Sequence, residues 1–227
     1  MKQLVCAALV AASIAGCGSA QHGTASVWIT RDRGAHILLV RKVPAGLTAM
    51  QGLERVAHVQ TRYAGRFVQA IDGMSGSLTR QQDWFYFVNG YEADRGAAEY
   101  RLHPGDVEWW DYRSWKQSMH VPVVVGAFPE PFLHGFNGKR RPAIVVFGPG
   151  GRQLAQKVAR AIHARLEPLG VRIAHKVNVI GVECTDKLPA PRFTASLRFA
   201  SEGAGSPVYF WLNCANPARS HYRYSVP

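Results

Sequence analysis

Apolar and polar residues alternate along Ala25-Ser26-Val27-Trp28-Ile29-Thr30, the period of a strand. Arg31-Asp32-Arg33-Gly34 supplies a turn with a glycine free to take positive φ, and Ala35 to Val43 reads as the second strand of a hairpin. From Thr48 the period lengthens. Met50, Leu53, Val56 and Ala57 recur at helical spacing, so residues 46–58 read as one amphipathic helix. Strand character returns over Tyr63–Asp72, Trp84–Asn89, Tyr100–Leu102 and Val107–Tyr112. The second half begins after a linker over Ser118–Val121. Val123-Val124-Val125-Gly126 reads as a strand, and Phe128–Phe132 as a stiff loop because of its two prolines. Ala143–Phe147 has the unbroken apolar run of a strand buried on both faces. Gly148-Pro149-Gly150-Gly151 leads into a helix from Arg152 to about Leu169, with Leu154, Val158, Ile162 and Leu166 at every fourth position and Gly170 as its C-cap. Val171–Val182 and Pro207–Asn213 read as further strands.

These elements predict an α+β chain. A β-grasp-like N-terminal domain occupies 25–116, and a small α/β domain occupies 121–227. Four of the six tryptophans lie between Asp83 and Trp115. Strand alternation puts Trp84, Tyr86 and Val88 on one face and Phe85, Phe87 and Asn89 on the other. Trp110 and Tyr112 share a face with charged Glu108, which points to partial exposure. Asn89-Gly90 and Gly105-Asp106 have the composition of hairpin turns. Two uses of the aromatic faces stay open: packing in the core or between domains, and stacking on a flat ligand. In the second use, Trp84, Tyr86, Asn89, Tyr100, Trp110 and Tyr112 form the ligand set.

Ile71-Asp72-Gly73, Trp84 to Gly90, Gly96, Tyr100, Leu102, Gly105-Asp106 and Trp109 to Tyr112 together resemble the transcobalamin C-terminal-like domain. The resemblance covers 25–116. It implies the fold of that family and cobalamin, or another flat cofactor, as a candidate ligand. The residues themselves demand no cofactor. In the vertebrate carriers cobalamin sits between such a domain and a helical barrel, and no such barrel is expected within these residues.

The N-terminus changes where such a module would work. Lys2 precedes an apolar run from Leu4 to Ala15, which has the form of a secretory signal over 1–16. Ile14-Ala15-Gly16-Cys17 resembles the lipobox of bacterial lipoproteins, with Cys17 as the lipidated residue and 17–24 as a tether. A plain signal cleaved near Ala20 is the alternative. An extracytoplasmic, membrane-anchored chain removes nucleic acid as a partner, despite a formal charge of +12. That charge is uneven: 12 Lys/Arg face 10 Asp/Glu over 22–116, and 14 face 5 over 117–227. A basic half suits an anionic membrane or wall surface, or an acidic ligand.

Export also leaves Cys184 and Cys214 as a pair in an oxidising compartment, where they form a disulfide or remain two buried thiols. No CxxC or HxxxH pattern marks a metal site. The glycine loop at 148–151 reads as a tight turn or as an anion site at a helix N-terminus, helped by Arg152 and the cluster Lys139, Arg140 and Arg141. No nucleophile elbow, Ser/Lys dyad or paired-carboxylate motif occurs, so no enzyme is expected. The expected function is a membrane-anchored extracytoplasmic ligand-binding module that serves an uptake system or transporter. The alternative is an envelope interaction protein without a small ligand.

Overall fold

The computed structural model describes residues 22–185, 192–199 and 203–226. The signal segment 1–16, Cys17 and most of the tether lie outside the described residues.

The hairpin pattern forms β1 (Thr24–Arg31) and β2 (His36–Pro44), antiparallel with a bulge at Ile29/Thr30. The helix is shorter than the period suggests. α1 spans Ala49–Glu54, and Thr48 and Gln51 close it with a reciprocal capping box. Val56 and Ala57 both donate to the Leu53 carbonyl, which ends the helix and turns the chain into β3 (Val59–Arg62). β4 (Phe67–Ile71) and β5 (Met74–Ser75) complete a small antiparallel sheet with β3. β6 (Gln82–Val88), β7 (Tyr91–Glu92) and β8 (Val107–Ser114) join the hairpin in a sheet ordered β2-β1-β8-β6-β7, with β8 parallel to β1. Tyr100–Leu102 is not a strand. Its backbone instead bonds to the α1 approach, through Ala49 N to Tyr100 O and Leu102 N to Leu47 O.

Val123–Gly126 is not a strand either. Val125–Ala127 forms one 3-10 turn, and Val124 N donates to Gly90 O. The valines are apolar because they fill the seam beside the first sheet. Phe128–Phe132 is less of a loop than its prolines suggest. α2 spans Glu130–Leu133, and Pro131 falls in its first turn, where a missing N–H costs nothing.

β9 (Ala143–Phe147) runs up to the glycine turn, and α3 spans Arg152–Ala161. α3 stops there because His163 takes a left-handed φ of 53°. Leu166, the fourth member of the apolar series, belongs to β10 (Arg165–Pro168) and pairs with Val145. Gly170 is therefore no helix cap. β11 is confined to Asn178–Glu183. The preceding Val171, Ile173 and Val177 pack as loop on Ile144, Val146 and Val179. β12 (Arg192–Leu197), unexpected from the pattern, and β13 (Val208–Asn213) complete a sheet ordered β10-β9-β11-β13-β12. β12 is an antiparallel edge on neighbours that run parallel. The fold is mixed α+β and mostly sheet. One buried apolar cluster runs from Ala25 to Tyr224 through both large sheets.

Cys184 and Cys214 are bonded, which decides between the two outcomes that their sequence left open. They follow β11 and β13, adjacent strands, and tie the ends of the sheet's centre. The loop they close spans 30 residues. Closing it restricts the unfolded chain, so Cys214→Ser should lower stability by about 3–4 kcal/mol. Denaturant unfolding with and without reductant checks this. Reduction should bring the native protein down to the variant's midpoint and leave the variant unchanged.

Candidate functional site

β8 carries the expected site, and it is buried over both faces from Val107 to Arg113. Its register sets Trp84 opposite Tyr112, and Tyr86 opposite Trp110. The Trp84 and Tyr112 rings lie 5.3 Å apart, and Tyr86 stacks on Trp110 at 4.8 Å. Trp84 Nε1 donates to Met74 O at 2.7 Å, and Tyr112 Oη donates to Ser75 O at 2.9 Å. β5 and the start of its loop thus cover the outer rings. Trp110 is 5 % exposed and Tyr112 7 %, against the expectation of partial exposure. Tyr86 is half-buried.

The misleading residue is Glu108. Its carboxyl is fully buried beneath α1, where a Cβ on Gly52 would meet Oε2 at 2.9 Å. Burial pushes its pKa well above the usual carboxylate range, opposed by the hydrogen bond from Trp110 Nε1 at 2.7 Å. Burial favours the protonated form, so this acid is no sign of solvent. Glu108 Oε2 and Tyr86 Oη are both buried without a hydrogen-bond partner.

Asn89 and Tyr100 are brought together, but on a buried carboxylate. Asn89 Nδ2 donates to Asp106 Oδ1 at 2.7 Å and to Gly135 O at 3.0 Å, and Tyr100 Oη donates to Asp106 Oδ2 at 3.1 Å. Asn137 N in turn donates to Tyr100 Oη at 3.0 Å. These side chains therefore fasten the 135–137 loop to the first sheet. Asp111 works the same way on the opposite face of β8 from Trp110. It accepts from Thr30 Oγ1 at 2.5 Å, Gly34 N at 2.9 Å, Arg33 N at 3.1 Å and Tyr224 Oη at 2.7 Å. Sequence reasoning missed both acids. The one available signal was a carboxylate set inside, or just before, an aromatic strand.

The expected anion set is not one site. Lys139, Arg140 and Arg141 precede β9 and Arg152 follows it, so a five-residue strand separates them by about 17 Å. Arg140 is spent on Phe132 O and Ile162 O, and Arg141 on Gly205 O. Gly150 and Gly151 pack so closely on Cys184 and Val182 that a Cβ would meet their carbonyl oxygens at 2.6 and 2.4 Å. The loop is a tight turn with no room for a ligand on that side.

A different hollow stands open. It has a volume of about 680 Å3, bounded by Arg192, Phe193 and Thr194 on one side and Arg219 and Arg223–Val226 on the other, with Val125 between. A narrower recess of about 200 Å3 continues it over Val121, Val123 and Val124 to Ala195. Arg192, Arg219 and Arg223 have neither a hydrogen bond nor an ion pair from their side chains among the described residues. Among the described residues, no Asp or Glu lines either space. The aromatic expectation could not have found this groove, because its walls come from β12, the seam and the chain's last residues.

Two outcomes follow from the buried acids. Asp111→Ala strands several donors and should cost about 3 kcal/mol or more, read as a lower denaturation midpoint. For Glu108 the folded pKa is raised, so its stabilisation is complete below about pH 4.5, the unfolded value. It declines as pH rises toward the folded value, by up to about 1.4 kcal/mol per pH unit. Glu108→Gln removes that titration. Its midpoint relative to the native chain should climb between pH 5 and 8; a constant difference would contradict a buried protonated acid.

Residues 46–114, under half of the chain, match a family model described as "Domain of unknown function (DUF4430)". No curated protein matches the sequence. Among solved structures, the chain is similar to a "putative metal binding protein from Ruminococcus gnavus ATCC 29149". The identity is 15 % and the TM-score 0.33, over 40 % of this chain and 97 % of that one. It is also similar to haptocorrin in complex with Cbi, at 14 % identity and a TM-score of 0.32, over 40 % of this chain and 24 % of that one.

Proposed function

We propose that this protein is an extracytoplasmic binding module, anchored through Cys17, whose contact surface is the groove between β12 and the C-terminal residues. The observation that carries this reading is the groove itself: three arginines without a partner among the described residues, beside an apolar floor of valines, on a chain whose aromatic strands are already covered. The lipobox-like sequence and the Cys184–Cys214 bond support the location. A transporter, another envelope protein or a small anionic molecule could each occupy such a surface. A corrinoid or other flat cofactor would first have to uncover rings that are now buried, two of them bonded to β5, so we place it behind the groove.

A photo-crosslinking residue at Ser225, compared with one at Leu169, tests the reading in intact cells. Leu169 is exposed and follows β10, at the opposite edge of the same sheet. Adducts at Ser225 that are absent at Leu169, in a fraction that requires Cys17 for membrane association, are the expected result. No adduct at Ser225, or equal adducts at both positions, would overturn it.

A further inference from the structure

β12 is the outermost strand of its sheet, and the groove runs along its free edge. Arg192, Phe193, Thr194 and Ala195 are consecutive, and each lines one part of the groove or the other. Successive side chains point to opposite faces of a sheet, so a space that touches all four lies beside the strand. The ladder shows which backbone groups face it. Arg198 N donates to Pro207 O, and the register pairs Leu197 with Val208 through to Arg192 with Asn213. Bonded and non-bonded pairs alternate in an antiparallel ladder. Arg192, Thr194 and Ser196 therefore bond to β13. The N–H and C=O groups of Phe193 and Ala195 point outward, with no backbone partner among the described residues.

An unpaired edge of this kind is a template for another strand. Here the edge has chemistry around it. Opposite stands Tyr224–Val226, pinned in place by the Tyr224–Asp111 bond. The floor is Val121 and Val123–Val125, suited to every second side chain of an extended chain. Arg192, Arg219 and Arg223 are exposed, and among the described residues they have no side-chain partner and no carboxylate lines the space.

We propose that the outer edge of β12 takes up an acidic, extended peptide segment as an added strand. Phe193 and Ala195 supply the backbone bonds, the valines receive alternate apolar side chains, and the three arginines meet its carboxylates. This rests on the binding-module reading and names the class of partner. A small anion would satisfy the arginines but would leave the Phe193 and Ala195 groups unbonded.

The probe is a displayed library of random dodecapeptides, selected on the full chain, with the leading peptide then synthesised and labelled with fluorescein. The expected peptides are net negative, with apolar residues at alternate positions. Replacing Arg192, Arg219 and Arg223 together by Gln should weaken binding at least tenfold. Ala195→Pro removes one outward N–H and leaves the β13 ladder intact, and it should weaken binding comparably. If that variant does not fold, N-methylation of alternate peptide residues removes the same bonds without touching the protein. Neutral or basic winners would overturn the proposal. So would acidic peptides that are indifferent to N-methylation in either register and displaced equally by inorganic phosphate or laurate. Loss of peptide enrichment with Ser225 crosslinks retained sinks the peptide class alone; loss of both sinks the module reading as well.

Discussion

Four donors converge on Asp111, a carboxylate with no solvent access in the middle of β8. Thr30 comes from the neighbouring strand, Arg33 and Gly34 from the first hairpin turn, and Tyr224 from the far end of the chain. Thr30 is held in turn by Trp109, whose Nε1 donates to its hydroxyl at 2.8 Å. A buried carboxyl group is tolerable only when its polar atoms are met, so each donor constrains the others. The Tyr224 bond matters furthest from Asp111. It fixes the residues that form one wall of the groove.

Asp106 repeats the device on a second loop. Through Asn89 and Tyr100 it holds residues 135–137, while Arg113 bonds to the carbonyls of Ser118 and Met119 between the two large sheets. β8 thus has cover on both faces and a polar clamp at each end. That cover consumes the aromatic residues that composition had marked for ligand contact. Aromatic rings bury large areas, and their N–H and O–H tips find carbonyl partners at the edge of a core. Trp84 and Tyr112 do this through Met74 and Ser75.

The free surface lies where regular structure stops. Among the described residues β12 has a paired strand on one side only, and the C-terminal residues lie beside it without pairing to it. The net positive charge of the second half is not spread evenly over this surface. Arg140 and Arg141 are engaged by main-chain carbonyls, whereas Arg192, Arg219 and Arg223 are left with exposed guanidinium groups. Charge counting alone does not separate the two sets.

The sequence by itself determined the hairpin, β4, β6, β8, β9, β13 and the start of α3, because their apolar spacing reflects local burial. It also offered Cys184 and Cys214 as a candidate pair, which the structure shows bonded. Only the tertiary structure decided where α3 ends, since Leu166 keeps helical spacing while it pairs on a strand. It likewise decided that Val123–Val125 fills a seam, and that Glu108 marks the inside of the protein. Alternation shows which residues share a face. It does not show whether another element lies over that face, because the covering residues are set by contacts between segments about a hundred positions apart. The groove belongs to this second class: its arginines and its strand edge meet only once Tyr224 has been carried back to Asp111.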